Sequence, residues 1–362
     1  MNPRGLILGT KTNCFRSYHD RGLVEEFFNV DEATLDNSHQ HDHANHRFIL
    51  INGVEIAAEI KEEIREEIIL VVKKQTEHAK ANQTSIEKPG LAVIVVGDRK
   101  DSKSYVDMKV TACADLGINS YKTHISEEEA TEELVIQAIQ NYNKDENVHG
   151  IMVQLPLPAH LNEERILEHI CITKDVDGLH PSSFGKIAMK GRKVVEGVNF
   201  TPCTPLGVIE LIRRAAEKLE RDLTGSDALV IGTSNVVGIP TALLILNQLH
   251  ATVQVVNIKS HDIPEKIALA DILVVCCGCA EMVQPEWIKP GAIVIDVGIN
   301  PVPDDSERGF RVVGDVKFDD ELKKRASACT PVPGGVGPMT IAMLMRNTLQ
   351  SFKAKHSYLF NE

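Results

Sequence analysis

No apolar run in this chain is long enough to cross a membrane. The longest, such as Ile272 to Cys277, fall far short of the roughly 20 residues that a span needs. Positive charge is scarce too: 39 Lys plus Arg stand against 51 Asp plus Glu, a formal charge of -12. That balance argues against a bulk-electrostatic nucleic-acid binder, because neutralising phosphates calls for a basic face. An anionic ligand then needs a local site that opposes the global field. Paired CxxC spacing is missing. Cys14, Cys113, Cys171, Cys203 and Cys329 are scattered, and Cys276, Cys277 and Cys279 crowd into one apolar run. This pattern suits neither a disulfide framework nor a structural zinc site, and the cysteines read as small buried hydrophobes in a reducing compartment. No internal repeat of solenoid length occurs.

What is present describes a soluble globular protein. At 43% hydrophobic and 25% charged residues, disorder and collagen are out. A length of 362 residues gives about two domains at roughly 150 residues each. Residues 1–46 differ from the rest. Met1 to His19 holds no acidic residue, while Arg4, Lys11 and Arg16 are basic and Thr10, Thr12, Ser17 and Tyr18 carry hydroxyls. That composition suits an organellar transit peptide, with an inert extension as the alternative. Next comes a His-rich linker, His39 to His46, with four histidines in eight residues. Such a tract can bind metal, but its polar setting assigns it no such role, and no metal is expected.

Regular structure is expected from Phe48. Ile56, Ile60, Ile64 and Ile68 recur every four residues, the pattern of an amphipathic helix. Leu91–Val96 and Gly150–Leu155 read as fully buried strands, with helices over Ser104–Leu116 and Thr131–Asn143 between them. A second series follows Pro205. Helices are expected over Leu206–Leu219, Pro240–Leu249 and Pro264–Leu269. Strands are expected at Ala228–Ile231, Thr252–Val256, Ile272–Cys276 and Ala292–Val297, and a last helix at Met339–Ala354. Alternating strands and helices imply parallel sheets covered by helices.

Several constellations could carry chemistry. Gly232-Thr-Ser-Asn-Val-Val-Gly238 joins a strand to a helix, where unpaired N–H groups attract an anion. Its G-x5-G spacing is not the standard fingerprint, so a dinucleotide site and an ordinary tight turn both fit. Tyr105 and Lys109 lie four apart and share a helix face, as an active pair or as a surface pair. A buried lysine can do acid–base work near neutral pH. Gln154 ends an apolar strand, where it needs partners. Asp175-Val-Asp177-Gly178 offers two carboxylates, for ligand binding or for plain turn chemistry.

The segments Tyr105-x-x-x-Lys109, Val153-Gln-Leu-Pro-Leu-Pro158, Lys174-Asp-Val-Asp-Gly178 and Pro202-Cys-Thr-Pro205 occur together with Ile295-Asp-Val-Gly-Ile-Asn300, Val313-Gly-Asp315 and Thr330-Pro-Val-Pro-Gly-Gly-Val-Gly-Pro-Met-Thr340. The series resembles the bifunctional methylenetetrahydrofolate dehydrogenase/methenyltetrahydrofolate cyclohydrolase family from about Phe48 to Lys355. The resemblance implies an α/β fold of two domains flanking a cleft, the second a Rossmann-like nucleotide-binding domain. The expected division is a folate-binding catalytic domain at 47–205, completed by a C-terminal helix at 338–356, and an NAD(P)-binding domain at 206–337. It also implies a homodimer, formed through the nucleotide domains, that oxidises 5,10-methylenetetrahydrofolate with NAD(P) and hydrolyses the methenyl product to 10-formyltetrahydrofolate. Folates, including polyglutamylated ones, are the expected partners.

By the same resemblance Lys109 is the catalytic lysine, Tyr105 stacks on the folate, Gln154 partners the lysine and Asp177 binds the pterin. Ser102, Val153 and Leu155 belong to the substrate site. So do Pro333, Gly334, Gly335, Val336, Gly337, Pro338 and Thr340. The cofactor site comprises Gly232, Thr233, Ser234, Val237, Gly238 and Pro240, then Asn257 and Ile258, then Gly278, Gly298 and Ile299. NADP-using relatives carry Gly-Arg-Ser at the glycine loop and a serine beyond the next strand. Thr233 and Ile258 depart from that pattern, so NADP or NAD is the expected cofactor. A cyclohydrolase with a degenerate cofactor site, a non-catalytic folate- or nucleotide-binding protein, and an unrelated amino-acid or hydroxy-acid dehydrogenase are the alternatives. The expected location is mitochondrial, with cytoplasmic as the alternative.

Overall fold

The computed structural model describes residues 48–82, 85–189, 197, 199–305 and 309–360, without the side chains of 79, 81–82 and 100–104. The expected transit segment and His-rich linker lie outside the described residues. In chain order the elements are β1 (Ile49–Leu50), α1 (Gly53–Asn82), β2 (Gly90–Val96), α2 (Lys100–Leu116), β3 (Asn119–Ile125), α3 (Glu132–Lys144), β4 (Gly150–Val153), α4 (Glu163–Leu167), α5 (Pro181–Ala188) and α6 (Cys203–Lys218). Then follow β5 (Asp227–Ile231), α7 (Gly238–Leu244), β6 (Thr252–Val256), α8 (Ile263–Ile267), β7 (Ile272–Val275), β8 (Ile293–Asp296), β9 (Asn300–Pro303), β10 (Phe310–Val313), α9 (Asp320–Arg325), β11 (Ala328–Cys329) and α10 (Val336–Lys355).

Two parallel sheets result, one of order β3-β2-β4 and one of order β1-β11-β8-β7-β5-β6. Every residue of β2, β4, β7 and β8 is buried, which is why these strands are unbroken apolar runs: both faces are covered by helices. β3 is different. It lies at the edge of its sheet, exposes Asn119, Ser120, Lys122 and His124 and leaves Tyr121 and Thr123 half-buried, so its polar sequence gives no strand signal. The expected first domain begins at residue 47, yet Ile49 and Leu50 pair with Ala328 and Cys329 in the larger sheet.

Helix α10 packs against both α1 and α6, and one hydrophobic core runs through the three to both sheets. The isoleucine stripe of α1 is buried, with Ile60 at 0% exposure. Burial of each such side chain contributes about 1.5–3 kcal/mol. A Cβ on Gly53, the first residue of α1, would sit 1.8 Å from the Gly335 carbonyl oxygen. Only glycine lets the two backbones meet there, which docks α1 on the loop ahead of α10.

Three expectations are corrected. The helix expected over Pro240–Leu249 starts at Gly238 and ends in a π-helical turn, Ile245–Leu249. Helix α2 begins at Lys100 rather than Ser104. Cys171 is exposed, while Cys113, Cys203 and Cys329 are buried; all described cysteines are free thiols.

Candidate active site

The carboxyl ends of the two sheets face a shared cavity of about 410 Å³, where open α/β folds bind ligands. Strand β2 delivers the chain to α2, which carries Tyr105 and Lys109 on one face. The Lys109 Nζ lies 6.0 Å from the centre of the Tyr105 ring. Strand β4 holds Gln154 at its end, its backbone N–H donating to the Ile94 carbonyl at 2.8 Å. Lys109 Nζ donates to Gln154 Oε1 at 2.8 Å, and Gln154 Nε2 donates to the Leu155 carbonyl at 2.8 Å. The amide oxygen is therefore fixed toward the lysine.

Lys109 is only 6% exposed. Burial lowers its pKa, and the Asp177 carboxylate opposes that drop. Asp177 mirrors it: burial raises its pKa, while Lys109 and the neighbouring Cys203 thiol lower it. The two carboxylates of the Asp175-Val-Asp177 turn thus do different work. Asp175 accepts the backbone N–H groups of Leu179 and His180 and folds the turn; burial pushes its pKa up to about 7. Asn347 of α10 secures the same turn, donating to the Val176 carbonyl at 2.8 Å and the Thr201 carbonyl at 3.1 Å.

Of the expected residues, the cavity wall brings together Tyr105, Lys109, Gln154, Leu155, Val237, Gly298, Ile299, Pro333 to Gly337 and Thr340. Val153 and Pro338 are buried beneath it, and Asp177 stands behind Lys109. The side chain of Ser102 lies outside the described residues. Gly232, Thr233, Ser234, Gly238, Pro240, Asn257, Ile258 and Gly278 are not on this wall. Gly232, Thr233, Ser234, Asn257, Ile258 and Gly278 occupy the turns that follow β5, β6 and β7, and Gly238 and Pro240 lie in the first turn of α7, along the same edge of the larger sheet. There Ser234 Oγ accepts the N–H groups of Val237 and Gly238, so two donors at the start of α7 are already satisfied. A Cβ on Gly238 would lie 2.1 Å from the Gly232 carbonyl oxygen, which explains the second glycine of the loop by packing. Sequence reasoning missed Thr204, Asp296, Val297, Pro301, Val312, Pro331 and Val332 as wall residues. Most lie inside the quoted motifs, which was the available signal.

Elsewhere, ligand atoms of Glu87, His149 and His356 lie within 4.8 Å of one another. His149 Nδ1 accepts the Gly90 N–H at 3.1 Å, so the ring proton sits on Nε2, the atom facing Glu87. A protonated nitrogen has no lone pair for a metal.

Residues 51–177 match the family described as tetrahydrofolate dehydrogenase/cyclohydrolase, catalytic domain, and residues 202–356 match its NAD(P)-binding domain. The chain is 46% identical over 311 residues to "Bifunctional protein FolD 4, chloroplastic" of Arabidopsis thaliana, covering 86% of this chain and 81% of that protein. It is 44% identical over 307 residues to "Bifunctional protein FolD 1, mitochondrial" of the same plant, covering 84% and 81%. Its fold is similar to the crystal structure of the Trypanosoma brucei methylenetetrahydrofolate dehydrogenase-cyclohydrolase complexed with NADP and an inhibitor. That match has a TM-score of 0.76 at 36% identity and covers 85% of this chain and 98% of the other. With both domains matched and the lysine, glutamine and tyrosine assembled on one wall, the chain belongs to the tetrahydrofolate dehydrogenase/cyclohydrolase family.

Proposed function

We propose that this chain oxidises 5,10-methylenetetrahydrofolate with NAD(P) and hydrolyses the methenyl product to 10-formyltetrahydrofolate. The observation that carries the reading is the buried Lys109–Gln154 pair beside Tyr105, in a cleft whose far wall is the edge of a parallel nucleotide-type sheet. The residues present fit a dinucleotide: the cavity reaches Val237 at the start of α7 and Gly298 and Ile299 after β8. A bound nicotinamide supplies the hydride acceptor. The chain's own work is positioning, with the folate ring on Tyr105 and its methylene carbon turned toward the second domain.

Hydrolysis adds water to the methenyl carbon, releases a proton and opens the ring. Lys109 is the group placed to take and return that proton, since burial holds its amine toward the neutral form. The cationic methenyl group beside it favours the same form. Gln154 fixes the direction of the amine, and Asp177 limits the fall of its pKa. The proposed division assigns 47–205 with α10 to the folate domain; α10 packs on α1, β2 and β4 and as extensively on α6, so it also ties the two domains together.

We infer a homodimer joined at β6. This strand is the outer edge of the larger sheet, and Val255 and nearby Leu246 are exposed at 36% and 49%; an apolar edge strand is a template for pairing. Mitochondrial import is supported by the acid-free Met1–His19 segment and by a relative bearing that location in its name. No described helix is long and apolar enough to cross a membrane. The test is product identification by chromatography after incubation with 5,10-methylenetetrahydrofolate and each nicotinamide cofactor. Appearance of 10-formyltetrahydrofolate together with reduced cofactor is expected; folate bound and returned unchanged would defeat the reading.

A further inference from the structure

Two carboxylates at the cleft have no part in the chemistry above. Asp296 ends β8 and is 3% exposed; Asp315 follows β10 and is 0% exposed. Among the described residues neither forms an ion pair. Backbone donors surround them instead. Asp296 Oδ1 accepts the N–H groups of Gly298 and Asp315, each at 2.9 Å, and its Oδ2 accepts that of Val316 at 2.9 Å. Asp315 Oδ2 accepts from Cys277 and Gly278 at 2.8 and 2.9 Å. Its Oδ1 accepts from Cys279 and from the Asn300 side chain, each at 2.8 Å.

The surroundings are built to this pair. A Cβ on Gly314 would fall 1.8 Å from Asp296 Oδ2, and one on Gly298 would fall 2.3 Å from Asp315 Oδ1. The Thr330 hydroxyl accepts the Asp296 N–H at 2.8 Å, tying in the segment that leads to the glycine-rich loop. Burying charge without a counter-charge is costly, and donated N–H groups are what make it tolerable. Apolar residues would fill the same space at less cost. What the carboxylates supply that apolar groups cannot is a fixed position for three backbone segments: 277–279, 298–300 and 314–316. Residues 297–299 of that assembly form cavity wall on the nucleotide side.

We propose that Asp296 and Asp315 are positioning residues for the hydride-transfer half-reaction, clasping the loops that form the cofactor wall. This rests on the dehydrogenase reading above. It separates the two activities, because Lys109, Gln154 and Asp177 stand on the other domain and hydrolysis needs no cofactor.

The test is Asp315→Asn, which turns an accepting oxygen into an NH₂ group facing backbone donors. Expected are a rise of about tenfold or more in cofactor KM, a fall in dehydrogenase kcat, and methenyl hydrolysis within about twofold of wild type. Asn300→Ala removes one donor and leaves the carboxylate in place. It should show the same split at smaller size, and it keeps the test open if Asp315→Asn does not fold. Fluorescence titration with NADH and NADPH reads the loss of cofactor affinity without any turnover. Both activities falling equally, or cofactor affinity unchanged in the folded variants, would overturn the inference. A wild-type protein that binds reduced cofactor but turns over no folate would instead count against the functional reading.

Discussion

Replacing Lys109 with methionine keeps an unbranched chain of similar volume and deletes the amine. General acid–base catalysis by one positioned group is worth about 10²–10⁴ in rate, or about 3–5 kcal/mol of barrier. Hydrolysis of the methenyl substrate should fall by that factor. The cost to stability should be small, because two effects oppose each other. Gln154 Oε1 loses its donor and Asp177 its neighbouring cation, at about 1–3 kcal/mol for a buried group left unsatisfied. Against this, a cation that burial disfavours is gone. Folate affinity, carried by the Tyr105 face, should change by less than about tenfold. The assay is stopped-flow hydrolysis of the methenyl compound with a parallel binding titration. A companion variant fixes the sign in pH. Asp177 raises the Lys109 pKa, so Asp177→Asn should move the acid limb of the hydrolysis profile to lower pH. Hydrolysis reduced less than tenfold in Lys109→Met, or lost only in proportion to folate affinity, would refute the catalytic assignment.

Other consequences can be checked separately. Thr233→Arg should lower the KM for NADP by about tenfold or more, since a charged contact to a phosphate is worth about 1.5–3 kcal/mol; an unchanged KM would place the phosphate elsewhere. Burial lowers the His149 pKa from 6.5 to about 4. The folded state thus resists a proton that the unfolded state accepts, and stability present above pH 6.5 is lost as pH falls toward 4. The loss is at most about 3 kcal/mol. In urea titrations at pH 7.5 and 5.0, His149→Asn should shrink the difference while keeping an acceptor for Gly90; an undiminished difference would contradict this. Val255→Lys should halve the mass seen by light scattering if β6 joins two copies, and an unaltered mass would locate the contact elsewhere.

Much of the fold is readable from the residues because burial on both faces leaves its mark in composition. Leu91–Val96 and Ile272–Val275 are apolar without interruption, and the isoleucine stripe of α1 marks its buried side. Some short helices (α4, α5 and α9) escaped, and so did the strands whose form depends on distant partners. β3 is a polar edge strand, β1 and β11 are two residues long and exist only by pairing across the chain, and β9 contains Pro301 and Pro303 beside its partner β10. The site divides the same way. Tyr105 and Lys109 follow from helical spacing, but their union with Gln154, 45 positions away, was available only through the resemblance. That Asp175 folds a turn while Asp177 faces the lysine could not be read from Asp-Val-Asp. Nor could the work of Asp315, which gathers donors from segments separated in the chain.

The proposed function places both an oxidation and a hydrolysis in one cleft of one chain. The decisive measurement is the initial rate of 5,10-methylenetetrahydrofolate turnover with NAD and NADP in parallel, methenyl hydrolysis being followed separately. Oxidation with at least one of the two cofactors is expected, together with hydrolysis that proceeds without either. Folate that binds but is neither oxidised nor, as the methenyl compound, hydrolysed would contradict it.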